Sequence, residues 1–429
     1  MDPQIEELLG LEAVRTRAHV VLKLAEEGRL NHFNYHPERM EDATDYVLKL
    51  IQVGAISALT NITSFPPHGR WQHFEVGGVP RIATLLAEWD EEKCDTTEKT
   101  RRLIDLFFVS VLLDAGAGDF WKFKESQSGL TLNRSEGIAV AALHMFLNGD
   151  FAGPDSSVKH TANGDALRNI NVELLSRGLQ VDDGNPMIGV AARADILRKL
   201  GESLVNLKDI FGPSGRPGNL VDYLIAKSSD GKLDYKDLWS VLQRLLIPIW
   251  PSDRTHVNGQ PIGDAWPLKA LEQQAGSESK PYSNIQPFHK LTQWLAYSLM
   301  VPFSRLLSVS WSNTELGTGL PEYRNGGMLV DMGVLELKPE ALQRGLSLSG
   351  GSLPSFGAGD DEIVEWRAMT VALLDVLHTK ILARLDGVQL SLPQVLEAGS
   401  WKAGRELAAA KRPETKCSPI LNFGDGTLF

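Results

Sequence analysis

Apolar residues recur along most of the chain at the three- and four-residue spacing that places them on one face of an α-helix. Asp2 as N-cap and Pro3 at the first helical position open the first such segment, and Gly28 is placed to end it. Pro37 opens a second helix that runs to about Gly54. Further helical patterns cover residues 97–114, 135–146, 165–179, 191–207, 235–246, 288–307 and 361–385.

Strand signals are few by comparison. Residues 70–76 alternate weakly, residues 328–337 are rich in Leu, Val and Met, and Asn258-Gly259 is a pair that turns a hairpin. Residues 345–359 and 247–287 are predicted as loops. The sequence therefore predicts a mainly α fold, a single large helical body with a few short strands. We expect one domain over residues 1–429, with 247–287 as a long loop or insertion.

Composition and motifs exclude several classes of protein. The 43 basic residues against 54 acidic ones give a net charge of −11, which disfavours nucleic acid as a partner. Two cysteines, Cys94 and Cys417, allow neither a disulfide framework nor a zinc site made of cysteine alone. There is no Walker loop, no H-E-x-x-H and no nucleophile elbow. We therefore expect no metal and no cofactor.

The N-terminus and the longest apolar runs indicate where the protein is located. The N-terminus lacks the basic and apolar regions of a secretory signal, and the longest apolar runs are far shorter than a membrane span. We expect a cytoplasmic protein without a membrane partner. The sequence leaves a homo-oligomer open.

Two segments place polar and aromatic side chains at the ends of predicted helices. In residues 112–123, an apolar helix ends at Asp114 and Trp121 follows. A carboxylate at the edge of the core suits a pocket, although Asp114 could equally cap a turn and Trp121 could belong to the core. In residues 287–295, Lys290 and Trp294 are four residues apart and share a helical face, beside His289. A cation with an aromatic ring suits a planar or anionic ligand, but a solvated Lys beside a packed Trp has the same pattern.

The segment 317–331 is the richest in chemistry. Two acids, an Arg and an Asn lie within ten residues, bounded by glycines that permit tight turns and close backbone approach. This density of ionisable groups favours a site over a structural role. The segment 361–368 follows, where Glu365 and Arg367 are near enough to pair with it.

Taken in order, these segments resemble the uracil catabolism protein 4 family of the URC pathway. The resemblance covers nearly the whole chain and is most specific at residues 112–123, 134–137, 288–294 and 317–333. It implies work on the ring-opened product of uridine monophosphate, in which urea is attached to ribose 5-phosphate. The implied reaction cleaves the N-glycosidic bond and releases urea and a ribose phosphate.

The order of motifs is also similar to that of the queuosine-salvage N-glycosidases, which have a helical body like that of DNA glycosylases. Their Lys-Arg-Ala-Gln motif corresponds to 290–293, their Ala-Asp-Tyr-Arg motif to 321–324 and their Glu-x-x-Ile-Arg motif to 362–367. This similarity implies Glu322 and Lys290 as the catalytic pair. Glu replaces the family's Asp, and Gly116, Ala117 and Gly118 stand where aromatic residues hold a base, which fits a smaller leaving group.

A role for each candidate follows from this chemistry. We expect Glu322 to stabilise the cationic transition state and to activate water or attack C1, and Lys290 to orient Glu322 or hold a ribose oxygen. Asp331 completes the expected catalytic set, with Asp114 as a second acceptor for ribose hydroxyls or urea amines. The remaining substrate-binding candidates are Arg324 for a carboxylate or the 5-phosphate, His289 for phosphate, Trp121 and Trp294 as walls, and Asn325 and Tyr323.

Two other functions compete with this hypothesis. A non-catalytic binder would hold a phosphorylated pyrimidine-derived metabolite in the same pocket and return it unchanged. A true DNA glycosylase is disfavoured by the acidic charge and the absence of a basic stripe. The expected partner is a small ribosyl phosphate substrate.

Overall fold

The computed structural model describes residues 2–57, 61–114, 120–153, 159–251, 254–275 and 281–423. These ranges are mainly helical with a few short strands, which confirms the predicted fold class. Within them, no helix combines the length and the apolar character needed to cross a membrane. The likeness to the helical DNA-glycosylase-like fold of queuosine-salvage proteins stays a prediction, and so does the assignment of the chain to one domain.

The described residues form twenty α-helices, which we number in chain order. They are α1 Pro3–Leu9, α2 Leu11–Glu26, α3 Met40–Ser57, α4 Arg70–Phe74, α5 Arg81–Glu91, α6 Thr96–Leu113, α7 Arg134–Asn148, α8 Gly164–Leu167, α9 Val172–Gly178, α10 Val190–Asn206, α11 Lys208–Phe211, α12 Leu220–Lys227, α13 Tyr235–Leu246, α14 Lys269–Ala275, α15 Lys290–Leu307, α16 Tyr323–Asp331, α17 Pro339–Ser349, α18 Asp361–Leu382, α19 Leu392–Val395 and α20 Trp401–Lys411. A π-helical turn, Leu396–Ser400, joins α19 to α20.

Short strands pair two by two and make no larger sheet in the described residues. The antiparallel pairs are β1 Phe33–Tyr35 with β10 Leu335–Leu337, β2 Phe123–Lys124 with β3 Thr131–Leu132, β5 His256–Val257 with β6 Gln260–Pro261, and β7 Ala265–Pro267 with β8 Ile285–Pro287. The parallel pairs are β4 Lys232–Asp234 with β9 Ser310–Ser312, and β11 Ser355–Gly357 with β12 Leu421–Phe423. In the β1–β10 pair, Phe33 lies opposite Leu337.

The core is built around α6, α15 and α18. The α6 helix begins at Asp95, whose Oδ1 accepts a hydrogen bond from the Glu98 amide (2.7 Å), and it is buried from Leu103 to Leu113. It packs against α15 and α7, while α18 packs against α2 and α16, and α16 packs against α20. An all-round apolar helix needs neighbours on every side, and these packing partners provide them.

The predicted first helix is interrupted at Gly10, which divides it into α1 and α2. The Leu9 carbonyl accepts hydrogen bonds from Trp239 Nε1 (2.8 Å) and Gln243 Nε2 (2.9 Å) of α13. A single continuous helix would have this carbonyl accept a hydrogen bond from its own chain one turn later. In the structure it accepts from α13 instead. The cap at Asp2 is confirmed, since its Oδ1 accepts from the Gln4 amide (2.9 Å).

One strand prediction is wrong, and a second is correct only over its last three residues. Arg70–Phe74 of this segment form α4, because Trp71 and Phe74, three residues apart, are buried together on one helical face. Residues 328–331 belong to α16, and only Leu335–Leu337 is a strand, separated from the helix by Gly333 at φ 72°. Both segments combine apolar residues in runs too short for periodicity to separate helix from strand.

The predicted loops contain more structure than expected. Residues 247–287 contain β5 to β8 and α14, and the Asn258-Gly259 hairpin is confirmed. Residues 345–349 still belong to α17. The predicted helix at 165–179 is two helices, α8 and α9, because Asn163 and Asn171 each cap a new helix with their side-chain oxygens.

Candidate functional site

Lys290 is the first residue of α15, and Asp264 determines where that helix begins. The Asp264 carbonyl accepts from the amides of Phe288 (2.8 Å) and His289 (3.0 Å), and Asp264 Oδ2 accepts from the Lys290 amide (3.0 Å). His289 adopts a left-handed backbone (φ 46°, ψ 40°) that turns the chain into the helix. One residue of the 247–287 segment thus fixes the position of Lys290.

A buried ion pair extends this arrangement to α18. Arg367 donates from Nη1 and Nη2 to the two Asp264 oxygens (2.8 and 2.7 Å), and these side chains are 1% and 0% exposed. Burial alone would raise the pKa of Asp264, but Arg367, helped by hydrogen bonds from Trp266 and the Lys290 amide, holds that pKa well below its usual range. Arg367 Nε also donates to the Pro321 carbonyl (3.3 Å), as expected for pairing with segment 317–331. Glu365 instead accepts from backbone amides near β1.

The α15 helix holds the chain that leads into α16. Gln293 Nε2 donates to Thr318 Oγ1 (2.7 Å), and Gln293 Oε1 accepts from the Thr318 amide (2.8 Å). One turn further along, the Tyr297 hydroxyl donates to the Thr318 carbonyl (2.8 Å). All three side chains are buried. Together with the Arg367 bond to Pro321, these contacts place Glu322 close to the start of α15.

Glu322 is the N-cap of α16. Its Oε1 accepts from the Asn325 amide (2.6 Å), its Oε2 accepts from the Arg324 amide (2.8 Å), and the residue is 8% exposed. Burial raises the pKa of this carboxyl, while the two amide hydrogen bonds oppose the rise. The positive end of the helix also favours the carboxylate. Each oxygen keeps a lone pair free of these amides, so the group can still act on a ligand.

Lys290 and Glu322, the predicted catalytic pair, influence each other electrostatically. Burial lowers the pKa of the Lys290 ammonium, and the carboxylates of Glu322, Asp264 and Asp114 oppose that shift. The same ammonium lowers the pKa of Glu322. The structure therefore brings together a cation and three carboxylates from four separate segments of the chain.

Arg70 lies at the site beside Asp114 and Trp294. It is fully buried, and its Nη1 donates to Asp114 Oδ2 (2.6 Å) at the end of α6. Its guanidinium carbon lies 5.5 Å from the centre of the Trp294 ring, one turn of α15 beyond Lys290. Asp114 and Trp294 thus both lie at the candidate site. Asp114 is held by a cation that we did not predict.

The first turn of α16 has mainly structural contacts. Arg324 Nη1 donates to the Lys416 carbonyl (3.0 Å), and its guanidinium lies 4.8 Å from the centre of the Tyr323 ring. Asn325 Nδ2 donates to the Leu320 carbonyl (3.2 Å), and Asn325 Oδ1 accepts from Ser400 Oγ (2.7 Å). Arg324 and Asn325 therefore hold the backbone that presents Glu322, and their side chains already have partners.

Two predicted residues, Asp331 and His289, have side-chain contacts outside this cluster. Asp331 is at the opposite end of α16 from Glu322, about 13 Å away at 1.5 Å per residue, and it pairs with Arg412 (2.9 and 2.5 Å). His289 Nε2 lies 2.8 Å from the Leu8 carbonyl, and burial lowers its pKa. We therefore assign Asp331 and His289 structural contacts and leave them out of the proposed mechanism.

Trp121 is packed in the core beside residues 115–119, which lie outside the described residues. It is 0% exposed and its Nε1 donates to the Leu179 carbonyl (2.8 Å). These contacts are those of a core residue, and the role of Trp121 as a wall of the substrate pocket stays a prediction. Gly116, Ala117 and Gly118, which were expected to make room for a small leaving group, lie outside the described residues.

The sequence prediction missed an aromatic cluster beside Trp294. The rings of His68 and His73 lie 6.5 and 6.0 Å from that of Trp294, and both stack near Trp401 at 5.5 and 5.9 Å. His68 Nδ1 also lies 2.6 Å from Glu397 Oε2. A strand over residues 70–76 would place Arg70 and His73 on opposite faces, whereas a helix places them on one face. The strand prediction therefore did not reveal this cluster. Asp264 and Arg70 carried no motif that could have identified them.

No group of three or more His, Cys, Asp or Glu side chains in the described ranges is arranged to hold a metal ion. The arrangement instead offers a fixed carboxylate, a cation and an aromatic wall. Such a set can stabilise a developing positive charge and bind a polar, partly planar ligand.

Comparison with known proteins gives a consistent family. The family model described as "Protein of unknown function (DUF1688)" matches residues 7–429. "Protein urg3" of Schizosaccharomyces pombe (strain 972 / ATCC 24843) is 46% identical over 429 residues, covering 99% of both chains. "Uracil catabolism protein 4" of Lachancea kluyveri is 41% identical over 443 residues, covering 100% of both chains. The resemblance to the uracil catabolism protein 4 family is thereby confirmed, and the chain belongs to the DUF1688 family.

Proposed function

We propose that this protein acts in uracil catabolism as an N-glycosidase that hydrolyses ribosylurea, or its 5-phosphate, to urea and the corresponding ribose. The name of the Lachancea relative supports the pathway. The observation that carries the reaction is the buried Glu322 carboxylate, fixed by two amides beside Lys290.

The reaction needs a carboxylate near the anomeric carbon. Cleavage of a ribosyl N–C bond passes through an oxocarbenium-like state, in which positive charge develops at C1 and the ring oxygen. Glu322 stabilises that charge and either activates the attacking water or attacks C1 itself. Its amide hydrogen bonds hold the carboxylate in place, so little reorganisation is needed as charge develops.

Lys290 and Asp114 serve the two ends of the substrate. The Lys290 ammonium orients Glu322 or donates to a ribose hydroxyl; burial lowers its pKa, and three carboxylates oppose that shift. Asp114, held by Arg70, is an acceptor for a ribose hydroxyl or a urea amine. Trp294 supplies the wall against which the substrate packs.

The test is turnover by purified protein. Urea release is measured with ribosylurea 5-phosphate and, separately, with ribosylurea. Glu322→Gln should lower kcat by a factor of about 100 or more while the protein stays folded, because an amide cannot carry the negative charge or take a proton. Glu336→Gln is the matched control, since Glu336 lies on β10 with a side chain that is 65% exposed.

The outcomes separate the competing functions. Urea release that is lost in Glu322→Gln and kept in Glu336→Gln supports the proposal, and the two substrates show whether the phosphate is required. A compound that binds and is returned unchanged would replace the glycosidase with a binder. Full activity of Glu322→Gln would remove Glu322 from the mechanism.

A further inference from the structure

The aromatic cluster beside Trp294 contains two buried N–H groups that have no acceptor among the described residues. They are His73 Nε2 and Trp294 Nε1, in residues that are 5% and 7% exposed. A buried donor without an acceptor costs about 1–3 kcal/mol. Two such donors in neighbouring rings, 6.0 Å apart between centres, are therefore a feature that needs an explanation.

The hydrogen bonds of His73 determine which of its nitrogens carries the proton. Arg70 Nη1 lies 3.2 Å from His73 Nδ1, and a guanidinium cannot accept a hydrogen bond, so Nδ1 is the acceptor. Burial, together with the charge of Arg70, lowers the pKa of His73 well below its usual value. The imidazole is thus neutral with its proton on Nε2, and it presents a fixed donor.

The two donors adjoin the proposed catalytic pair. Trp294 is one helical turn from Lys290 on the same face of α15, and Arg70 links His73 to Asp114 through Nη1. Trp401, which is only half-buried, lies with its ring centre 5.9 Å from that of His73, the two rings tilted by 44°. The cluster therefore has an aromatic wall, two neutral donors and an edge near the surface.

We propose that His73 Nε2 and Trp294 Nε1 donate to the carbonyl oxygen of the departing urea group. This inference rests on the proposed function and deepens it by naming the subsite of the leaving group. When the C1–N bond breaks, its electron pair moves onto the urea nitrogen and is shared with the carbonyl oxygen. Water forms the new bond to C1, and its proton ends on the urea nitrogen. Two neutral donors at the oxygen stabilise the charge that develops there.

Neutral donors suit this task better than cations. The other strong donor nearby, Arg70, is already engaged by Asp114, by Ser110 and by the Ser135 carbonyl. A urea oxygen is uncharged in the ground state and becomes negative only as the bond breaks. Interactions that strengthen at that moment raise kcat more than they lower KM.

The kinetic test replaces the indole of Trp294 and the imidazole of His73. Trp294→Phe removes the donor and keeps an aromatic ring, and it should lower kcat about 100-fold with a smaller change in KM. His73→Phe should have a similar effect, and His73→Gln, which keeps an N–H at the end of the side chain, should recover part of the loss. Trp311→Phe is the matched control, because Trp311 Nε1 is also without an acceptor but lies on β9, packed on Phe303.

A spectroscopic test separates this inference from the proposed function. Glu322→Gln protein with ¹⁵N-labelled Trp is titrated with ribosylurea 5-phosphate, and the indole N–H resonance of Trp294 is identified with Trp294→Phe. We expect that resonance to shift downfield while the Trp311 resonance stays fixed. Binding without a shift would overturn the subsite but not the glycosidase. A shift without turnover by the wild-type protein would overturn the glycosidase alone. Absence of binding would overturn the subsite, and it would overturn the glycosidase as well if the wild-type protein releases no urea.

Discussion

Replacement of Arg367 by Met is the sharpest test of how the site is assembled. Met keeps an unbranched stem that reaches as far as the Nε position of Arg and fills apolar space, so the change removes the guanidinium group with its charge and hydrogen bonds. Asp264 then keeps its bonds to Trp266 Nε1 (2.8 Å) and to the Lys290 amide (3.0 Å) but loses both bonds from Arg367. A carboxylate that is 0% exposed is left without its cation.

The magnitude follows from this burial. Breaking a buried pair by removing one partner costs about 3–5 kcal/mol of unfolding free energy, because the remaining charge is uncompensated. In the wild-type protein the pKa of Asp264 is depressed, so its contribution is fully present above the unfolded value of about 3.9 and is lost only below it. The wild-type contribution of Asp264 is therefore constant between pH 5 and 8.

In Arg367→Met, the pH dependence of the stability that Asp264 contributes reverses its sign. Burial, which raises the pKa of Asp264, is no longer opposed by the guanidinium. The folded variant then binds a proton that the unfolded chain releases, so its stability falls as pH rises above about 3.9, by at most about 1.4 kcal/mol per pH unit. The difference from the wild-type protein should be smallest near pH 4.5 and largest near pH 8.

Urea unfolding of both proteins at four pH values between 4.5 and 8 measures this difference. Asp264→Asn combined with Arg367→Met removes both charges and should recover much of the loss without a pH dependence. Arg29→Met is a control, since Arg29 pairs with Glu27 in an exposed ion pair. A loss below about 1 kcal/mol at pH 8, or a loss that does not vary with pH, would refute the reasoning.

Two further predictions concern residues that the sequence placed in the site. Asp331→Asn should leave kcat and KM for urea release within about twofold of wild type and lower the thermal midpoint, because Asp331 pairs with Arg412 at the far end of α16; a large loss of kcat would return it to the mechanism. Trp121→Phe should cost about 1–3 kcal/mol of stability by leaving the Leu179 carbonyl without its donor, with activity unchanged. An active-site role for Trp121 would instead appear as a changed KM in a protein of unchanged stability.

The fold was predictable where periodicity extended over several turns. The helix at 235–246 was predicted with the bounds observed for α13, and α6, α10 and α18 were predicted to within a few residues. Short helices were not, because α4 contains only one turn and its apolar residues fit either period. Asn163 and Asn171 divided a helix that the apolar pattern alone made continuous.

The candidate site was predictable only in part, for a physical reason. Lys290, Glu322 and Trp294 lie in segments that are dense in chemical groups, and the structure brings these segments together. Asp264 and Arg70 act through partners more than forty residues away, and no local pattern signals such a pairing. Asp331 satisfied the same local pattern as Glu322, but the length of α16 separates them.

The ties between the two ends of the described chain bear on how it folds. Glu365 accepts hydrogen bonds from the amides of Asn31, His32 and Phe33, more than three hundred residues earlier, and α2 packs on α18. During synthesis, α2 cannot bury its apolar face until α18 has left the ribosome. The N-terminal helices therefore keep apolar surface exposed until α18 is available. This exposure slows folding and favours binding by chaperones. Assembly of the site is then among the last events in the maturation of the protein.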